Sequence, residues 1–121
     1  MSENKIPGVD MEAGLELFCG EMDMFVDALK SFAANTLAAA NRLRNVTKEG
    51  LPDYAITAHG LKSISGTIAA QKIVEKAKKL EALAKAGDLA GVLAENDTFI
   101  KDIETLVSNI KSWLKAAGHI Q

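Results

Sequence analysis

Apolar residues recur at helical spacing along most of the chain, and the places where that spacing breaks mark out five segments. From Asp10 to Phe18, the residues Met11, Leu15 and Phe18 share one side and Gly20 follows, which predicts a brief first helix. A longer stripe runs from about Glu21 to Arg44 through Phe25, Leu29, Phe32, Ala39 and Leu43, with Met22, Val26, Ala33, Leu37 and Ala40 beside it. Residues 45–50 are polar and interrupt the pattern. Pro52 and Asp53 suit the first turn of a third helix, whose stripe is Tyr54, Ala58, Leu61, Ser65 and Ile68. Continued in phase, that stripe would bring Lys72, Glu75 and Lys79 into the core, whereas Ile73, Ala77, Leu80 and Ala84 begin a new one. A turn or sharp kink is therefore predicted near Ala69 to Gln71, although no Gly or Pro marks it. Gly87 and Asp88 read as a helix stop and an N-cap, and Leu89, Val92, Phe99, Ile103, Leu106, Ile110 and Leu114 form a last stripe ending near Gly118.

Four long helices with short connections, each apolar on one side, bury those sides together as an all-α antiparallel four-helix bundle, with the short first helix as a lid. One domain is expected over residues 10–118. Residues 1–9, with Pro7 and Gly8 and little apolar content, are expected to be a flexible lead-in that carries no fold information. Composition agrees with an all-helical domain: aromatics are sparse, and Ala, Leu, Lys and Glu recur over 121 residues. The net charge is -2 and no basic block is dense enough to track a phosphate backbone, so nucleic acid is not expected as a partner. No apolar run is long enough for a bilayer, so no membrane association is expected either. A single cysteine, Cys19, and an N-terminus without a secretory pattern point to a reducing cytoplasm.

His59 is the residue that bears on chemistry. It lies roughly 160° round the third helix from Leu61, at about 100° per residue, and should face solvent. Its neighbours on that face are Ala55, Ile56, Lys62 and Ser63, with Gly60 adjacent and Gly66 two turns along. Glycine inside a helix costs about 1 kcal/mol relative to alanine, and folding a bundle asks for no such cost on an exposed face. Small residues would let an imidazole nitrogen come close to a buried acceptor on another protein. Imidazole is a competent nucleophile near neutral pH, and Lys62 supplies positive charge for a transferred phosphoryl group. The same Gly/Ser face equally suits close packing of another helix over a buried, hydrogen-bonded His59, and periodicity alone leaves both readings open.

The run Ala58-His59-Gly60-Leu61-Lys62-Ser63 resembles the A-H-x-L-K-G signature of histidine-containing phosphotransfer (HPt) domains. Ile68-Ala69-Ala70, Ile73 and Leu80-Glu81 fall at the family's later spacings, and Gly8-Val9-Asp10, Gly14-Leu15, Gly20 and Phe25 through Phe32 look like its opening pattern. The resemblance spans roughly residues 8–115. It departs from the family at Ser63, where Gly is usual, and at Ala69, where Gly usually marks the turn.

The resemblance implies that His59 is the phosphoacceptor, that Lys62 helps neutralise the phosphoryl group, and that Ser63 and Gly66 leave room for a docking partner. That partner would be the receiver domain of a response regulator, or a sensor histidine kinase. The docking surface would join Ile56, Gly60, Ser63 and Gly66 to the lid and the start of the second helix, where Met11, Leu15, Phe18, Met22 and Met24 gather. No cofactor is expected on this chain, and the divalent metal would belong to the receiver. No ATP-binding motif is present, so the expectation is a monomeric carrier rather than an enzyme. The competing expectation is a helical module that binds receivers without transfer. A histidine-dependent hydrolase lacks a second base, nucleophile or metal set. His119, in a tail expected to fray, is given no role.

Overall fold

In the computed structural model, which describes residues 5–120, five α-helices follow one another: α1 (Met11–Leu17), α2 (Met22–Asn41), α3 (Leu51–Gly66), α4 (Gln71–Lys85) and α5 (Leu89–Ala116). No strand occurs among the described residues. Helices α2 to α5 turn the stripes read from the sequence inward, whereas the α1 stripe of Met11, Leu15 and Phe18 is only partly buried. Phe25, Leu29 and Phe32 of α2, Tyr54, Ala58 and Leu61 of α3, Ile73, Ala77 and Leu80 of α4, and Phe99, Ile103 and Ile110 of α5 are buried in one shared core. Each large side chain moved fully from water contributes roughly 1.5–3 kcal/mol, and that burial holds the helices together as a bundle-like packing. No helix among the described residues is long and apolar enough to cross a membrane.

The phase break after Ile68 is a turn. α3 stops at Gly66, α4 starts at Gln71, and Ala69 takes a left-handed backbone with φ +58°. An alanine there costs roughly 1–2 kcal/mol that glycine would avoid. The turn is closed by the Ala70 N–H donating to Ser65 O at 3.0 Å, and it makes α3 and α4 the most extensively packed pair. Gly87 has φ +74°, and the Asp88 carboxylate accepts from the Gly91 N–H at 2.8 Å, so the predicted stop and N-cap both form. A buried polar chain pins three elements. Tyr54 Oη donates to Asn96 Oδ1 at 2.7 Å, and Asn96 Nδ2 donates to the carbonyl of Leu43 at 2.8 Å. Burial, reinforced by the charge of Glu95, pushes the Tyr54 phenol well above its ordinary pKa and keeps it a donor.

Both ends of the chain differ from expectation. Residues 1–4 of the expected lead-in lie outside the described residues, but Ile6 is fully buried in the core. The Pro7 carbonyl accepts from Asn109 Nδ2 at 3.3 Å, and a turn at Gly8, φ +93°, carries the chain on into α1. A single isoleucine has no periodicity to betray it, which is why the segment read as featureless. At the other end the tail is capped rather than frayed. Gly118 adopts φ +81°, the His119 N–H donates to Leu114 O at 2.8 Å, and the His119 ring stacks on Trp113 at 5.5 Å between centroids.

Candidate functional site

With Ala58 and Leu61 of α3 committed to the core, His59 between them faces outward, and 59 % of its side chain is exposed. The reading in which a packed helix buries this histidine is therefore wrong for the chain itself. On the neighbouring α4, Glu81 follows the core residue Leu80 and turns toward α3, with only 7 % of its side chain exposed. Its carboxylate gathers three groups. Oε2 lies 3.1 Å from His59 Nδ1 and 2.8 Å from Lys85 Nζ, and Oε1 lies 2.9 Å from Lys62 Nζ.

The two lysine hydrogen bonds, Lys85 first and then Lys62, outweigh burial and lower the Glu81 carboxyl from its ordinary 4.5 to about 2. At neutral pH this carboxylate is ionised and only accepts, so the proton of a neutral His59 ring must sit on Nδ1. Nε2 then keeps its lone pair, and it has no hydrogen-bond partner among the described residues. One buried carboxylate holding two ammonium groups leaves a surplus positive charge beside an exposed imidazole.

The remaining predicted residues divide. Gly60, Ser63 and Gly66 are exposed along α3, and a Cβ added at Gly60 or Gly66 would meet nothing within 4 Å. The chain's own packing thus requires glycine at neither position. Ile56, one turn before His59, is 72 % exposed and borders an open groove of about 540 Å³ that is also lined by Pro52, Ala55, His59, Glu81, Ala84 and Lys85. Met22 and Met24 are exposed, whereas Met11, Leu15 and Phe18 pack partly against the core, with Phe18 6.1 Å from Phe25 between ring centroids. The start of α1 is tied to the α3–α4 turn by the Asp10 N–H donating to Ala69 O at 3.1 Å.

Glu81 and Lys85 were given no role from the sequence. A signal existed: Glu81 sits four residues after Ala77 and next to Leu80, at the margin of an apolar stripe where a carboxylate needs partners, and Lys85 is four residues on.

No protein-family model, curated protein or solved structure matches this chain. Its chemistry has to be read from the arrangement itself. An exposed imidazole with one nitrogen fixed as donor and the other free has the arrangement a nucleophile needs, and adjacent ammonium groups suit an anionic reaction partner. Among the described residues no group of three His, Cys, Asp or Glu side chains is placed to hold a metal ion.

Proposed function

We propose that this chain is a phosphoryl carrier of the HPt type, an antiparallel four-helix bundle of α2 to α5 with α1 as its lid, acting between receiver domains in the cytoplasm. The observation that carries the reading is the Glu81–His59 pair, an ionised buried carboxylate that leaves Nε2 of an exposed histidine as the attacking nitrogen. The signature around His59 and the unfilled space over Gly60 and Gly66 support it independently.

In the forward step the Nε2 lone pair attacks the phosphorus of a phosphoaspartate on the donor. The N–P bond forms as the P–O bond to that aspartate breaks, and the aspartate leaves as a carboxylate. Nδ1 keeps its proton throughout, donating it in a hydrogen bond to the Glu81 carboxylate. Lys62 and Lys85, held on the same Glu81 carboxylate as His59, supply positive charge to offset the phosphoryl charge that arrives, which suits a transfer governed by positioning and charge neutralisation. The reverse chemistry delivers the phosphoryl group to an aspartate carboxylate on a second receiver, which breaks the N–P bond. The divalent metal that assists both steps is assigned to the receiver.

The test is transfer of labelled phosphate from a phosphorylated receiver domain to the wild type and to His59→Gln. Acid-labile label on the wild type that is absent from the variant supports the carrier. Binding of receivers without label would make the chain an interaction module instead.

A further inference from the structure

The groove beside His59 is apolar over most of its lining for a reason visible in the sequence. Where α3 and α4 pass each other, Ala55 and Ala84 are both buried and both line it, so a methyl group stands at each place where a larger side chain would fill the space. Pro52 and Ile56 complete the apolar part, and Ile56, at 72 %, is the most exposed large apolar side chain among the described residues. The space left, about 540 Å³, falls within the roughly 300–1,000 Å³ of small-molecule sites. We infer that this groove binds a small carboxylate carried on an apolar body and, resting on the carrier reading, that the occupant slows phosphorylation of His59.

The polar part of the lining sets the sign of the ligand. It consists of His59, Glu81 and Lys85, with no other charged side chain among the described residues. Glu81 is 7 % exposed and both of its oxygens are engaged, Oε2 by His59 and Lys85 and Oε1 by Lys62. A carboxylate accepts about four hydrogen bonds, so a cationic ligand would find this one already claimed. Lys85 Nζ carries three N–H donors, and 66 % of its side chain is exposed beyond its 2.8 Å contact with Glu81. An anion therefore finds spare donors there. Two ammonium groups on one carboxylate leave a single positive charge in surplus, which a carboxylate matches and a phosphate monoester, at about -1.5 to -2, exceeds.

The consequence for His59 follows from the shared lining. The imidazole borders the same groove as Ile56 and Lys85, so a bound apolar body stands next to it while the ligand's carboxylate takes up the surplus charge. That is the charge the carrier reading assigns to the arriving phosphoryl group. An occupied groove thus opposes phosphorylation by crowding the ring and by neutralising its surroundings.

The experiment titrates the full chain with naphthoate, with its neutral carboxamide and with the naphthylmethylammonium cation, following backbone N–H shifts by NMR. Naphthoate should shift residues 52–59 and 81–85 and bind about fivefold or more tightly than the carboxamide, and the cation should not bind saturably. Two variants at exposed positions divide the site. Ile56→Ser should weaken naphthoate and carboxamide alike, whereas Lys85→Gln should weaken naphthoate alone, each by about threefold or more. Saturating naphthoate should slow labelling of wild-type His59 by phosphoramidate, a small donor that needs no docking, by a similar factor. Equal affinities for the three probes, or no shifts in those two segments, would overturn the site and leave the carrier reading in place. Shifts of the same residues by a receiver domain but not by naphthoate would overturn it in favour of a protein occupant. Binding with unchanged labelling would overturn the effect on phosphorylation. A wild type that phosphoramidate fails to label without ligand would remove the carrier reading and that effect together, and the titrations would still decide the site.

Discussion

Glu81 Oε2 lies 3.1 Å from Nδ1 of His59, so a buried carboxylate on α4 dictates which nitrogen of an exposed histidine on α3 carries the proton. The short turn at residues 67–70 makes this meeting possible by laying the two helices side by side. Lys62 and Lys85 keep the carboxylate ionised, and the histidine thereby keeps one tautomer at neutral pH.

Removing that orienting group should slow transfer without removing the nucleophile. Glu81→Ala is expected to lower the rate of label transfer to His59 about tenfold by releasing the ring to rotate and exchange tautomers. Nitrogen-15 NMR of the histidine ring should show the Nδ1–H form dominating in the wild type and a mixture in the variant. Equal rates and equal tautomer populations would remove Glu81 from the mechanism.

Acid should destabilise the fold through the same carboxylate. Because its pKa falls from 4.5 to about 2 on folding, the stabilisation is complete above about 4.5 and is lost as pH drops through about 2. Denaturant melts between these limits should show wild-type stability falling by on the order of 1 kcal/mol more than that of Glu81→Gln, a figure kept small by solvent around the exposed lysines. Parallel curves for the two proteins would contradict it.

Gly60→Ala separates folding from docking. With open space where the new Cβ would go, the substitution should raise stability by up to about 1 kcal/mol through helix propensity. Receiver-dependent transfer should nonetheless fall, because the added methyl would lie on the proposed docking surface. A variant both more stable and fully active would mean that the small residues round His59 are not a landing surface.

Gly14 is required from inside. A Cβ there would lie 2.6 Å from the Phe25 ring, which is fully buried and has no room to retreat. Gly14→Ala should therefore cost about 1–3 kcal/mol in a denaturant melt and loosen α1 from α2. An unchanged midpoint would show that α1 moves without penalty.

The stripes of α2 to α5 were legible because each helix has one wet and one dry face, and Ala58, Leu61, Ser65 and Ile68 are buried where a 3.6-residue period puts them. The turn before Gln71 was legible from a conflict, since lysines would otherwise have entered the core. Ile6 was not legible, because one apolar residue beside Pro7 and Gly8 has no pattern, and the contact beside it, Asn109 of α5 on the Pro7 carbonyl, joins residues about a hundred apart in sequence. His59 could be placed on the exposed face by angle alone. Its partner could not, because which α4 side chain faces it depends on how the two helices are rotated about the turn, and left-handed Ala69 is part of what sets that rotation.

The most direct test of the central claim is the nitrogen of attachment, read by NMR on protein labelled with nitrogen-15 in its two histidines and incubated with a phosphorylated receiver domain. One imidazole should change, that of His59, with phosphorus-31 coupling to Nε2 and a proton retained on Nδ1. Phosphorus on Nδ1 would contradict the orienting role of Glu81, and two unchanged imidazoles, or a change at His119 alone, would contradict phosphoryl transfer through His59.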